Sequence, residues 1–125
     1  MTTTDPVDRY YDAWAHRQGD MSEVPLADDF HFTGPIASFD SAAGYRGMAS
    51  EAGPMVRSFK VRHQFRDGDL VMSIIDWEMA GVPGVLTAAE LLEVSDDRLA
   101  RGELIYDAED LRKALASSSD PEGFG

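Results

Sequence analysis

The hydrophobic positions near the start of the chain repeat with the spacing of a helix. Asp5 can cap this helix, and Pro6 suits its first position because the amide proton that proline lacks would be unpaired there. Gly19 suits the end of the helix. The segment therefore predicts a first helix whose buried face consists of Val7, Tyr10, Tyr11, Trp14 and Ala15.

The next forty residues predict short elements separated by turn residues. The stretch "SEVPLADDF" suggests a short second helix, and Phe30 opens a brief strand, "FHF". A loop, "TGPIASFDS", follows, marked by the Gly-Pro pair at 34–35. Ser41 can cap a third helix, "AAGYRGMASEA", which the next Gly-Pro pair, at 53–54, should end. Its buried face would consist of Tyr45, Met48, Ala49 and Ala52.

From residue 60 onward the hydrophobic period changes from helical to two, which is typical of strands. Four segments alternate in this way: "KVRHQFR", "LVMSIIDWEMA", "VLTAAELLEV" and "RLARGELIYDAE". The turn signals "DGD", "GVPG" and "SDD" separate them, and "AEDLRKALA" predicts a short closing helix. The chain is therefore predicted to be an α+β fold, with helices covering one face of a curved, mostly antiparallel sheet and a pocket between the layers.

Strand parity assigns faces to the chemically active side chains. Val61, His63 and Phe65 fall on one face, so His63 could present an imidazole to the pocket, where its pKa would suit proton transfer near neutral pH. Trp77 is expected to point inward, while Asp76 and Glu78 point to solvent or to a partner subunit. No histidine lies at ligand spacing from those carboxylates, so a zinc site is rejected.

Glu90 is the least expected residue of the third long strand. Counted by twos, it shares a face with the four apolar residues Leu86, Ala88, Leu92 and Val94. A carboxyl group buried on such a face keeps its proton, because desolvation penalises the charged form, and it can then donate a hydrogen bond. The alternatives are a carboxylate at the rim, or one paired with Arg101 on the neighbouring strand.

The amino-acid composition limits the classes of binding partner that we expect. The 125 residues include 23 acidic and 11 basic side chains, giving a net charge of −12, which disfavours nucleic acids and anionic membranes as partners. The absence of cysteine excludes disulfides and thiolate sites. No secretory signal and no apolar run of about 20 residues is present, so a cytoplasmic protein is expected. We predict one domain, residues 1–115, followed by a polar tail, residues 116–125.

Several sequence segments resemble those of the nuclear-transport-factor-2-like superfamily, in its SnoaL-like and ketosteroid-isomerase-like branches. The segments are "RYYDAW", "LADDFHFTGPIASFD", "DWEMAG", "TAAELLEV" and "RLARGELIYD", between Asp5 and Asp110. The resemblance implies a conical α+β barrel that holds a small hydrophobic molecule without a cofactor, and a homodimer formed through the outer face of the sheet. It leaves the activity open, because the superfamily contains isomerases, cyclases, epoxide hydrolases, dehydratases and non-catalytic binding proteins.

The resemblance also implies catalytic positions. Ketosteroid isomerases place a hydrogen-bonding tyrosine on the first helix and a protonated acid on a later strand, and these positions match Tyr10, with Tyr11 as the neighbouring alternative, and Glu90. The general base of those enzymes precedes a proline, and here Gly34 stands in that place. A base would then have to come from His63, water or the substrate. Classical steroid isomerisation is therefore disfavoured.

The same resemblance predicts a ligand-binding surface on the inner face of the sheet and the first helix. Leu104 occupies the place where an epoxide hydrolase would carry an acid, which disfavours that chemistry, and Gly102 should leave room for a ligand. We expect either an isomerase or cyclase that polarises a carbonyl group, or a non-catalytic binding or accessory dimer. The predicted ligand-binding residues are Trp14, Phe32, Met55, Trp77, Leu104 and Tyr106.

Overall fold

The computed structural model describes residues 5–117, which form three α-helices and one six-stranded sheet. Along the chain the elements are α1 (Pro6–His16), β1 (Leu26–Thr33), β2 (Ser38–Phe39), α2 (Ala42–Ala52), β3 (Val56–Asp67), β4 (Leu70–Met79), β5 (Leu86–Ser95), β6 (Arg98–Tyr106) and α3 (Glu109–Ser117). A 3₁₀ turn, Gly53–Met55, joins α2 to β3. The predicted α+β architecture is confirmed. Of the predicted tail, residues 116 and 117 end α3 and the remainder lies outside the described residues.

Both predicted helix caps are confirmed. The Asp5 carboxylate accepts a 2.8 Å hydrogen bond from the Val7 amide, and the Ser41 hydroxyl accepts one of 3.1 Å from the Gly44 amide. Each cap satisfies an amide that the first turn of the helix leaves unpaired, which fixes where α1 and α2 begin. The predicted apolar faces are confirmed only in part, because in α1 the buried alanine is Ala13 and the predicted Ala15 is half-buried.

The sheet has the strand order β2-β1-β6-β5-β4-β3. Neighbouring strands are antiparallel except β1 and β6, which run parallel. The expected short helix before Phe30 is wrong, because the strand already begins at Leu26. Leu26 is buried and pairs with Leu99 of β6, so a partner far along the chain overrides the local preference of this segment.

A β-bulge in β3 changes the face of every residue that follows it. Val61 lies opposite Ile75, but His63 lies opposite Ile74, so β3 advances two residues where β4 advances one. The extra residue reverses the alternation of side chains. Val61 is half-buried on the helix side, whereas His63 and the following Phe65 are exposed on the outer face. The prediction that these three side chains share one face is wrong.

The core lies between the helices and the inner face of the sheet. Tyr10 of α1, Tyr45 of α2 and Phe30 of β1 are its largest fully buried side chains. The outer face of the sheet carries exposed apolar residues, including Phe65 and Ile105. Within residues 5–117 no helix is long and apolar enough to cross a membrane.

Candidate functional site

A cavity of about 130 Å³ lies between the helices and the inner face of the sheet. All three helices, the loop that follows β1, and the inner faces of β3 to β6 contribute to its wall. The wall is apolar except at one end, where the side chains of Tyr10, Tyr45 and Glu90 meet. A volume of this size accommodates a molecule about as large as benzene.

Glu90 lies in the middle of β5, between Ser73 of β4 and Leu104 of β6. Its side chain points to the inner face and is 2% exposed, between the buried Ala88 and Leu92. The predicted face of Glu90 is therefore confirmed, and its burial excludes the alternative of a carboxylate at the rim. Pairing with Arg101 is also excluded, because Arg101 is exposed and lies opposite Glu93 rather than Glu90.

A chain of hydrogen bonds connects Glu90 to the helices. The Tyr10 hydroxyl donates to Glu90 Oε2 over 2.8 Å and shares a hydrogen bond of 2.5 Å with the Tyr45 hydroxyl. Trp14 donates its indole N–H to the Tyr45 hydroxyl over 3.3 Å. Because an indole nitrogen can only donate, it fixes one end of the chain and orients the hydroxyl groups toward Glu90.

Burial controls the ionisation of this group of side chains. It raises the pKa of Glu90 from 4.5 to about 7, although the hydrogen bonds from its tyrosine neighbours oppose the shift. Burial, with the nearby Glu90 carboxylate, also raises the pKa of both Tyr10 and Tyr45 well above the ordinary tyrosine value. Near neutral pH the site therefore holds two neutral phenols and a carboxyl group present in both protonation states.

Tyr11 approaches the other side of the same carboxyl group. Its hydroxyl is the one buried side-chain oxygen or nitrogen, among the residues the structure describes, that has no hydrogen bond of acceptable geometry. It nevertheless lies close enough to act on Glu90, whose pKa it lowers as a hydrogen-bond donor would. We therefore describe Tyr11 as a close but misaligned neighbour, and Tyr10 as the bonded partner of Glu90.

The structure brings most of the predicted site residues together. Tyr10 and Glu90 form the polar end of the cavity, and five of the six predicted ligand-binding residues line its wall. These five are Trp14, Phe32, Trp77, Leu104 and Tyr106.

Two predicted site residues lie elsewhere. His63 is exposed on the outer face, because the bulge at Arg62 turns it away from the helices, so its imidazole cannot reach Glu90 through the cavity. Met55 belongs to the 3₁₀ turn, is 37% exposed and does not line the cavity. Both placements correct the expectation from sequence.

The two glycines singled out in the sequence differ in their surroundings. Gly34 lines the cavity. Gly102 does not. A Cβ atom there would lie 3.2 Å from side-chain carbons of Leu92 and Phe32 and 3.4 Å from Phe30, so core side chains fill the space that was expected to admit a ligand.

Sequence reasoning missed the role of Tyr45. It placed this residue on the buried face of α2 but treated it as ordinary core. The available signal was chemical: Tyr45 carries the only polar side-chain group on a face otherwise made of Met48, Ala49 and Ala52, and a buried hydroxyl usually needs a partner. Its partner, Tyr10, lies 35 residues away in the sequence.

The side chains of the site support one kind of chemistry, which is hydrogen-bond donation to a ligand. Glu90 in its neutral form can donate a hydrogen bond to an oxygen atom of a ligand. The single hydroxyl proton of Tyr10 is donated to Glu90, so Tyr10 could donate to a ligand only by releasing that bond. Among residues 5–117, Glu90 is the only one with a carboxyl group that lines the cavity, and no histidine of this range lines it. The part of the chain that the structure describes contains no group of three potential metal-ligating side chains of the histidine, cysteine or acidic type.

Comparison with known proteins agrees with this architecture. The family model of the SnoaL-like domain matches residues 7–102. No curated protein sequence resembles the chain closely enough to count as a match.

Solved structures resemble the chain at low sequence identity. One is an NTF2-like protein of unknown function from Cytophaga hutchinsonii, with 20% identity, a TM-score of 0.75, and coverage of 90% of this chain and 96% of that one. A second, from Catenulispora acidiphila, has a ketosteroid isomerase-like fold and is in complex with trimethylamine (19% identity, TM-score 0.69, coverage 94% of each chain). A third is an LEH-like epoxide hydrolase of M. tuberculosis (17% identity, TM-score 0.68, coverage 89% and 86%). At these identities the likeness shows the fold alone.

Proposed function

Because the chain belongs to the SnoaL-like domain family, whose members include isomerases and cyclases, we propose that it binds a small hydrophobic carbonyl compound and polarises the carbonyl group without a cofactor. In this proposal Glu90 and Tyr10 are the catalytic residues. Tyr45 and Trp14 orient Tyr10, and the apolar wall of the cavity holds the body of the substrate.

The observation that carries the proposal is the burial of Glu90 at the polar end of an apolar cavity, in hydrogen-bonding contact with Tyr10. A carboxyl group with a pKa of about 7 is partly neutral at physiological pH. In its neutral form it donates a hydrogen bond, and this bond strengthens as negative charge develops on the substrate oxygen. The apolar surroundings increase that stabilisation because they exclude water.

The reaction that fits this site is enolisation, as part of an isomerisation or a cyclisation. An α-proton leaves the carbon next to the carbonyl group, and the electron pair moves to the oxygen, where Glu90 holds the resulting enol or enolate. Gly34 supplies no base and Glu90 serves as the acid. The proton therefore goes to water or to a basic group of the substrate itself.

The same observations support a second candidate, a non-catalytic binding protein. Beside Glu90 the described residues of the cavity wall offer no carboxylate or imidazole that could remove a proton, and Gly34 stands where the resemblance to ketosteroid isomerases places the general base. In this case neutral Glu90, held in place by Tyr10, would recognise a ligand carbonyl group through a hydrogen bond alone.

We further propose that two copies associate through the outer face of the sheet. Two cross-strand rows there are largely apolar: Ile74, Ala89 and Ile105 form one, and Phe65, Met72 and Leu91 form the other. Ile105 is 57% exposed and Phe65 is 64% exposed. Such a contiguous apolar surface on a monomer is typical of an interaction site.

The replacement Glu90→Gln tests the catalytic proposal. Glutamine has the same shape and still accepts a hydrogen bond from Tyr10, but its amide is a much weaker acid. We would measure exchange of α-protons for deuterium in simple aryl ketones by NMR, together with their binding. Loss of exchange with binding retained is expected.

Glu51→Gln is the matched control, because it makes the same chemical replacement at an exposed residue of α2. If no ketone undergoes exchange in the unmodified protein although ketones bind, the binding candidate replaces the enzymatic one. Exchange that survives in Glu90→Gln would overturn the assignment of Glu90.

A further inference from the structure

A polar depression on the surface shares a wall with the cavity. It lies beside the last turn of α1 and the first residues of β3, and Trp14, Val56 and Phe59 line both spaces. The Trp14 and Phe59 rings are stacked, with centroids 6.3 Å apart, and both are half-buried. A single layer of side chains therefore separates the cavity from this depression.

The cavity is small, so a larger ligand would also need the space of the adjacent polar depression. At about 130 Å³ it holds one ring, whereas pockets for small organic molecules usually measure about 300–1,000 Å³. A substrate larger than one ring must extend beyond the cavity. The shared wall is one direction in which it can do so, because the half-buried Phe59 ring, unlike Trp14, is held there by no hydrogen bond.

The charges around the depression are unusual for this chain. Of the residues that the structure describes, Arg57 and His16 belong to its lining but no aspartate or glutamate does, in a protein with a net charge of −12. The Arg57 side chain forms no ion pair or hydrogen bond within residues 5–117. Glu78, on the neighbouring strand, instead accepts a 2.9 Å hydrogen bond from Ser58.

The backbone places Arg57 at this position through a second β-bulge. Val56 lies opposite Met79 and Ser58 opposite Glu78, so Arg57 is an extra residue without a partner on β4. Bulges often occur beside functional sites, where they redirect a side chain. Here the bulge lies next to Val56, whose side chain belongs to the wall shared with the cavity.

The side of the cavity formed by α3 is acidic, in contrast to the depression beside Arg57. Leu111 and Leu115 line the cavity there, but the first turn of α3 carries Glu109 and Asp110. The cations of this helix are engaged, because Lys113 pairs with Glu109 and Arg112 donates to the Pro35 carbonyl oxygen. An anionic group is therefore disfavoured on that side and favoured beside Arg57.

From this arrangement we infer that the ligand is amphipathic: a carbonyl group reaches Glu90 and Tyr10, one ring fills the cavity, and an anionic group, such as a carboxylate or a phosphate, binds at Arg57 and His16. The inference rests on the proposed function, because it takes the position of the carbonyl group from it. The Arg57 cation would also help the ligand approach a protein whose overall field repels anions.

The test uses two aryl ketones that differ only in charge: 4-(4-acetylphenyl)butanoate and the corresponding carboxamide. Binding to the full chain is measured by calorimetry at low ionic strength and again at high ionic strength. We expect the carboxylate to bind about fivefold more tightly than the amide, as one exposed but well-placed charge contact provides, and the difference to shrink in salt.

Arg57→Gln should remove this preference and leave binding of the amide unchanged. Arg98→Gln is the control, because it changes the net charge equally at an exposed residue that lines neither space, and it should keep the preference. Equal binding of both ketones, or a preference that survives in Arg57→Gln, would overturn the inference alone. Failure of both ketones to bind would overturn the proposed function and this inference with it.

Discussion

The Tyr10 hydroxyl and the Glu90 carboxyl group, 80 residues apart in the sequence, are joined by a buried hydrogen bond of 2.8 Å. The bond connects the first helix to the middle of the sheet. Because both groups are shielded from water, Glu90 depends on Tyr10 for its bonded partner, and the bond contributes to the fold as well as to the site. Changes at either residue should therefore affect stability and ionisation together.

The first prediction concerns the ionisation of Glu90. Its pKa is raised from 4.5 to about 7 in the folded protein, so between these pH values the folded state holds a proton that the unfolded chain has lost. The free energy of unfolding should therefore decrease as pH rises from 4.5 through the folded-state pKa of about 7, by about 3 kcal/mol in total from this group, and should level off once Glu90 is ionised in the folded state as well.

Urea unfolding across this pH range would measure the effect, with Glu90→Gln as the reference. Other carboxylates titrate in both proteins, so the difference between the two curves isolates Glu90. The pKa itself can be read from the NMR signal that disappears in the variant. Parallel stability curves would mean that Glu90 is already ionised throughout the range.

The two adjacent tyrosines should respond differently to loss of the hydroxyl group. Tyr10→Phe removes a donor to Glu90 and a partner of Tyr45, so it should raise the pKa of Glu90 further and destabilise the fold by about 1–3 kcal/mol. Tyr11→Phe removes a buried hydroxyl without a bonded partner, so stability should change little. Its effect on the pKa of Glu90 should also be an increase, but a smaller one.

Thermal unfolding and NMR titration of both variants provide the comparison. The pair is matched, since each loses one oxygen from a neighbouring buried ring. A loss of stability in Tyr11→Phe as large as that in Tyr10→Phe would show that Tyr11 does form a hydrogen bond in solution.

The features that the sequence could predict are those determined by neighbouring residues. The caps at Asp5 and Ser41 and the inward position of Glu90 depend on local spacing, and all three are confirmed. The length of β1 could not be predicted in this way. Leu26 is extended because Leu99 pairs with it, and nothing within the segment itself reports that partner.

The candidate site shows the same limit. Strand parity assigns His63 to the inner face, but it assumes an uninterrupted strand, and one extra residue at Arg62 reverses the result. Tyr45 was recognisable as buried, but its bond to Tyr10 depends on how α2 packs against α1. Bulges and helix packing are properties of the assembled fold, so residues that depend on them have to be located in three dimensions.

The proposed dimer makes a prediction about the outer face of the sheet. Ile105→Lys places a charge at an exposed position of one of the two apolar rows and should convert a dimer to a monomer, as measured by analytical ultracentrifugation. Val85→Lys is the control, because Val85 is 60% exposed but lies outside those rows. A monomeric unmodified protein, or a dimer that persists in Ile105→Lys, would contradict the proposed interface.

The last prediction concerns whether Gly102 serves the ligand or the core. A Cβ atom at this residue would lie 3.2 Å from both Leu92 and Phe32, which is shorter than an ordinary van der Waals contact. Because these side chains are buried and packed, Gly102→Ala should destabilise the fold by about 1–3 kcal/mol even without ligand. The measurement is chemical unfolding of the ligand-free protein.

Gly47→Ala is the matched control for this change. A Cβ atom at Gly47 would meet no atom within 4 Å, and the residue lies inside α2, so alanine there should stabilise the protein by about 1 kcal/mol through its higher helix propensity. If Gly102→Ala were instead neutral for stability but weakened ligand binding, Gly102 would border the ligand after all. The close approach of Leu92 and Phe32 makes the opposite result the expected one, because both side chains already occupy the space beside the glycine.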